Sequence, residues 1–213
     1  MTKSMLRFLS RPADDVVLQD RQVYLRVPLM ADYPVWRDLR ESSRSFLEPW
    51  EPTWRTDDLT RSAFRLRVRR HHRDHVQGTA LPLFIFRADD HALLGGITLG
   101  HIRRGPAQST MIGYWMGAPH AGHGFMRATL ELVIPYAFDT MRLHRIEAAC
   151  IPDNARSIGL LEKVGFGREG YLRSYLKING AWRDHVLFAR LAEEQRTARK
   201  ASSVNEHRKT IAG

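Results

Sequence analysis

The stretch Pro119-His120-Ala121-Gly122-His123-Gly124-Phe125-Met126 lies between an alternating segment, Ser109 to Met116, and a run with Phe125, Ala128, Leu132 and Tyr136 at helical spacing. A loop with two close glycines therefore leads from a strand into a helix. The first N–H groups of a helix lack intrahelical partners and sit at the positive end of its dipole, and glycines let an anion approach the main chain, so the arrangement suits a phosphorylated ligand. It is neither a P-loop nor a dinucleotide fingerprint: GxxxxGK[ST] is absent, and Arg127 stands where a third glycine would be. A plain glycine turn fits the same residues.

Outward from this loop the pattern is that of a mixed α/β domain. On the N-terminal side, residues 1–20 form an irregular lead-in, Arg21 to Leu29 alternates as a half-buried strand, and Val35, Trp36 and Leu39 mark a helix ending near Ser43. Pro49 and Pro52 make Phe46 to Pro52 a loop carrying exposed aromatics, and a second helix runs from about Asp57 to Val76. Three strands follow, Leu83 to Arg87, Leu93 to Ile102 and Ser109 to Met116, with the turn signals of a meander between them. On the C-terminal side, Arg145 to Ile151 is a strand, and Asp153 or Asn154 caps a helix with Ile158, Leu161 and Val164 on its apolar side. Gly165 ends that helix, and Asn179-Gly180 joins two last strands as a hairpin. The expected domain spans residues 21–193, and residues 194–213 are a polar tail.

The composition agrees with one globular domain: 213 residues, 43% hydrophobic and 26% charged. No run approaches the ~20 apolar residues of a membrane span, and Met1 to Ser10 lacks the apolar core of a signal peptide, so a cytoplasmic location without membrane contact is expected. The single Cys150 excludes an internal disulfide and a cysteine metal site, and on a short strand it reads as core. His71, His72 and His75 stand on a basic helix beside Asp74, a poor donor set, so no metal is expected. The formal charge of +10 favours polyanions. Arg61, Arg65, Arg67, Arg69, Arg70 and Arg73 concentrate it on the second helix, as a solvated basic face or as a weak RNA or ribosome contact.

With Gly122-His123-Gly124, Asn154-Ala155-Arg156-Ser157 and Val164-Gly165-Phe166-Gly167-Arg168-Glu169-Gly170-Tyr171, the chain resembles the GNAT N-acetyltransferases. Phe46 to Pro52, His144-Arg145-Ile146 and Tyr175 to His185 bring it nearest to the RimJ/RimL branch, the ribosomal-protein-alanine N-acetyltransferases. The resemblance covers roughly Val23 to Leu191. It implies the GNAT fold, a mixed, mostly antiparallel central sheet flanked by helices whose middle strands splay to admit acetyl-CoA. It further implies that the main chain of His120 to Met126 cradles the pyrophosphate, and that Asn154, Arg156 and Ser157 lie beside the pantetheine. Two positions depart from the family pattern: Pro119 stands where Gln or Arg is common, and His123 replaces a Lys, so a neutral imidazole stands where a full charge would assist the phosphates.

The implied reaction is direct transfer of acetyl from acetyl-CoA to an amine, without a metal. The acceptor read from the resemblance is a protein N-terminal α-amine, with a ribosomal protein as its source; a small-molecule amine and a catalytically weak RNA-binding module are the alternatives. Main-chain N–H near Tyr114 to Met116 is the candidate oxyanion donor. Ser157 is the candidate acid for the leaving thiolate, and Asn154 the residue fixing the pantetheine amide. Glu48, Glu51, Glu169 and Asp184 are all candidate bases. Glu48, Trp50 and Trp54 are expected to wall the acceptor side. A monomer and a dimer suit the sequence equally.

Overall fold

In the computed structural model, which describes residues 18–197, Val23 and Leu25 are fully buried while Tyr24 and Arg26 between them are partly exposed. That alternation makes a strand with one face on the core. The strand, β2 (Val23–Arg26), pairs antiparallel with β1 (Leu18–Gln19) on one side and β3 (Leu81–Arg87) on the other. Leu18 and Gln19 fall in the stretch read as an irregular lead-in. They are held by Asp20, whose carboxylate accepts the N–H groups of Gln22 and Val23 and so turns the chain back on itself.

The meander continues through β4 (Leu93–Arg103) and β5 (Ser109–Met116). β6 (Arg145–Cys150) joins parallel to β5, and the hairpin of β7 (Gly167–Ile178) and β8 (Ala181–Leu191) completes an eight-stranded sheet in the order β1-β2-β3-β4-β5-β6-β8-β7. The ladder between β5 and β6 covers just Ser109, Thr110 and Met111 against Arg145, Ile146 and Glu147. Beyond it the two strands part.

Helices cover both faces of the sheet. On one side lie α4 (Phe125–Pro135) and α5 (Ala155–Lys163), packing Leu130, Val133, Ile134 and Leu161 against Val23, Ile97 and Ile146. On the other lie α1 (Tyr33–Ser42) and α3 (Arg61–Val76), which bury an aromatic cluster: Trp36 and Phe64 have ring centroids 4.7 Å apart, with Phe84 and Trp115 from the sheet beneath. The Trp115 indole sits over Gly96, where an added Cβ would come within 2.7 Å of its nitrogen.

Three further segments differ from the sequence reading. Arg44–Leu47 forms a short helix, α2, and Glu48–Trp50 a 3-10 turn, where a loop was expected; Pro49 sits in the first turn, where its fixed φ suits a helix. Trp54 is buried at 9% exposure, whereas Trp50 at 37% does face solvent. The helix expected to reach Met141 changes after Pro135 into a π-helical turn, Tyr136–Thr140, because proline has no N–H to continue the ladder. Residues 192–197, which run from the end of the expected domain into the tail expected from 194, are helical. Among the described residues no helix is long and apolar enough to cross a membrane.

Candidate active site

The glycine loop enters α4 through Gly122 (φ +83°) and Gly124 (φ +85°), both in the left-handed region that disfavours side chains. A Cβ at either position would meet no atom within 4 Å, so the space above the loop is open. Gly124 is the N-cap of α4 and offers no side-chain cap, which leaves the first N–H groups of the helix for a ligand. An open, glycine-lined helix start fits a pyrophosphate. Charge at the loop comes from a residue the sequence did not single out. Arg87, at the end of β3, places Nη2 3.5 Å from His120 Nδ1 and its guanidinium 5.6 Å from the Phe125 ring. Burial, then the Arg87 charge, lowers the His120 pKa. No local spacing links Arg87 to residue 120.

Where β5 and β6 part, Tyr114 reaches across to α5. Its hydroxyl is 2.6 Å from Ser157 Oγ, and the Cys150 thiol donates to the same oxygen at 3.2 Å. Burial drives the Tyr114 phenol and the Cys150 thiol upward from their ordinary pKa values, so both keep their protons at neutral pH. Asn154 Oδ1 accepts the Ser157 N–H at 3.1 Å, an ordinary N-cap that still leaves the side-chain amide hydrogens for a ligand. Arg156, expected at the cofactor, is exposed and lies 5.6 Å over the Phe46 ring, linking α5 to α2.

The backbone of β5 has a defined polarity here. Gly117 N–H donates to Leu94 O, and the register Gly95↔Met116, Gly96↔Trp115, Ile97↔Tyr114 continues from that pair. Hydrogen-bonded pairs alternate in an antiparallel ladder, so Trp115 and Gly113 point their N–H groups at β4 while those of Tyr114 and Met116 point into the gap.

On the opposite face, a cavity of about 410 Å³ runs between α1, α3 and the sheet and touches β5 at Gly113, Tyr114 and Trp115. One wall is built around Arg40, whose guanidinium lies between the rings of Trp54 (4.2 Å) and Trp115 (4.9 Å). Arg40 is forked onto Glu51 at 2.7 and 2.5 Å, and Trp54 Nε1 donates to the same carboxylate at 2.8 Å. The opposite wall carries Arg67 and His71.

None of the four carboxylates weighed as a base is free. Glu48 is paired with Arg44, and Glu51 is held by Arg40 and Trp54. Glu169 is paired with Arg145, which holds its carboxyl below the usual range. Asp184 accepts from Ser174 N–H and Tyr171 hydroxyl, which lower it likewise. Of the four, Glu51 lines the cavity. His185 is buried at 3% exposure and stacks edge-on against Tyr175. Among the described residues no three His, Cys, Asp or Glu side chains converge as a metal site.

The chain matches the acetyltransferase (GNAT) domain model over residues 22–167. It is 36% identical over 167 residues to the [Ribosomal protein uS5]-alanine N-acetyltransferase of Escherichia coli, covering 78% of this chain and 86% of that protein. It is 35% identical over 173 residues to the probable N-acetyltransferase YjcK of Bacillus subtilis, covering 81% and 96%. Among solved structures it resembles Mycobacterium smegmatis RimJ in complex with CoA-disulfide, at TM-score 0.78 and 34% identity over 84% of this chain and 88% of that one.

Proposed function

The chain belongs to the GNAT acetyltransferase family, and from that premise we propose that it acetylates the α-amine of a protein N-terminus, with a ribosomal protein as the natural acceptor. Acetyl-CoA supplies an activated thioester. In this reading the main chain of His120 to Met126 takes the pyrophosphate, with Arg87 adding a positive charge beside the loop. Asn154 donates its amide to the pantetheine, and the N–H groups of Tyr114 and Met116 receive the charge that grows on the carbonyl oxygen as the amine attacks. Ser157, hydrogen-bonded to the buried Tyr114 phenol, gives its hydroxyl hydrogen to the departing sulfur and regains one through water from the attacking amine, so the proton lost by the amine balances the thiol formed.

The observation that carries the acceptor is the cavity that meets β5 at Gly113 to Trp115, close to the gap and without a strong base: Glu51 is paired with Arg40, Asp58 accepts the Arg55 N–H, and burial lowers the His71 pKa to about 4. An amine must be neutral to attack. At neutral pH that costs about 4 to 5 kcal/mol for a lysine side chain and about 1 to 1.5 kcal/mol for an α-amine, from their ordinary pKa values. A site with no strong base therefore suits the α-amine, which a water molecule can deprotonate. The name of the uS5-alanine relative points the same way.

The test is mass spectrometry after incubating acetyl-CoA with peptides that carry both an N-terminal Ala and an internal Lys. Acetyl on the N-terminus is expected. Acetyl on Lys, or turnover of small amines without peptides, overturns the reading. A ribosome or RNA contact completes the proposal. Arg61, Arg65, Arg69 and Arg73 recur every four residues on the exposed side of α3, and Asp74, 3.5 Å from Arg73, is the acid paired with this stripe among the described residues.

A further inference from the structure

Arg67 differs from the other arginines of α3: it turns inward to line the cavity and stacks 5.4 Å from the Trp36 ring. Among the described residues it makes no ion pair and donates no side-chain hydrogen bond. The carboxylates within electrostatic reach, Glu51 and Asp58, are occupied elsewhere: Glu51 by Arg40 and Trp54, Asp58 by the Arg55 N–H. Burial first, then Arg40 and Arg70, work against its positive charge. One turn along the same face, His71 leaves Nδ1 buried without a partner, and burial together with Arg67 and Arg70 lowers its pKa to about 4. At neutral pH His71 is therefore uncharged and can donate one N–H.

A guanidinium has five donors in a planar fork, and an unpaired charge held away from water is costly unless a ligand completes it. We propose that Arg67, assisted by His71, is a specificity subsite that takes the carboxylate of an acidic side chain within the first residues of the acceptor peptide. The inference rests on the N-terminal reading above and deepens it: the amine reaches β5 while the acid is anchored on α3. A carboxylate matches the fork in shape and charge, and the indoles of Trp36, Trp54 and Trp115 line the rest of the cavity.

The test compares paired Ala-first peptides, identical except for Asp or Asn at position two, three or four, by kcat/KM in CoA release. The wild-type enzyme should favour the acidic member at one of these positions by about 10- to 100-fold. In Arg67→Gln that ratio should fall to near unity, and in Arg67→Lys to an intermediate value, because an ammonium keeps the charge and loses the fork. The ratio within one enzyme cancels any general loss of activity, and the wild-type comparison stands even if a variant fails to fold. Equal use of both peptides by the wild type overturns the subsite and leaves N-terminal acetylation intact. A preference that survives Arg67→Gln overturns its assignment to Arg67. Turnover of small amines without any peptide overturns the acceptor reading and this inference with it.

Discussion

The Tyr114 hydroxyl and Ser157 Oγ, 2.6 Å apart, join β5 to α5 across the opening where β5 has left β6. The contact spans the opening between the two halves of the sheet, where the proposed reaction would place the thioester. In the proposed reaction it holds the Ser157 hydroxyl in place. A serine hydroxyl is a poor acid alone, but one hydrogen-bonded to a phenol that burial keeps protonated can lend its hydrogen to a developing thiolate and recover a proton from the attacking amine through water. Cys150 donates to the same oxygen from behind, and burial keeps it a thiol, so it supports the network without competing as a nucleophile.

Ser157→Ala should lower kcat about 10- to 1000-fold with the KM for acetyl-CoA within a few-fold, since the bond to sulfur strengthens only as charge develops. Tyr114→Phe should cost less, about 10-fold, and the double variant should be no worse than Ser157→Ala, because the two act in series. Thiol release at saturating acetyl-CoA measures all three. Unchanged turnover in Ser157→Ala would leave that residue with a helix-start role alone.

Asn154 has two roles that substitution can separate. Its Oδ1 caps α5 by accepting Ser157 N–H at 3.1 Å, so Asn154→Ala should destabilise the protein by about 1 kcal/mol. Asn154→Asp keeps an accepting oxygen and should unfold at nearly the wild-type temperature, yet it replaces the amide hydrogens and should raise the KM for acetyl-CoA. A normal KM in the Asp variant would mean that the cap is the whole role.

Gly124→Asp should abolish the thermal shift that CoA gives, by setting a carboxylate at the helix start where φ is +85°. Arg87→Met tests the charge beside the same loop without touching its backbone. It should raise the KM for acetyl-CoA several-fold at low salt and less at high salt, because the Arg87 side chain is one-third exposed and screened. A folded Gly124→Asp that still binds CoA normally would refute the loop assignment.

What the sequence made legible was local. The Gly122 to Phe125 loop, the Asn154 cap and the Asn179-Gly180 hairpin are each written in consecutive residues, and each took the expected form. The cavity between α1, α3 and the sheet was hidden because its parts come from distant elements. Arg40 of α1 meets Trp115 of β5, and Arg67 of α3 meets Trp36 of α1, through packing that no spacing encodes. The same limit explains why the prolines at 49 and 52 suggested an open loop: the buried Trp54, held by Glu51 and covered by Arg40, draws that segment onto the core. Arg87 escaped notice because a charged residue at a strand end is common, and its meaning comes from a loop more than thirty positions away.

The acceptor should set the pH profile. The site groups with displaced pKa values are moved out of the window from 7 to 8.5: His71 down to about 4, His120 down from its usual value, Tyr114 and Cys150 upward. Each of these keeps one protonation state as pH rises through the window. The fraction of neutral amine does change there, so kcat/KM for an Ala-first peptide should rise about tenfold per unit at low pH and level off above ~8, near the ordinary α-amine pKa. A lysine acceptor would instead keep rising toward ~10. Initial rates at constant ionic strength, for two peptides whose N-terminal amines differ in measured pKa, separate enzyme from substrate. An inflection that moves with the peptide assigns the titration to the acceptor and leaves deprotonation to water. An inflection fixed across peptides would place a titrating group on the enzyme and overturn the water-mediated reading.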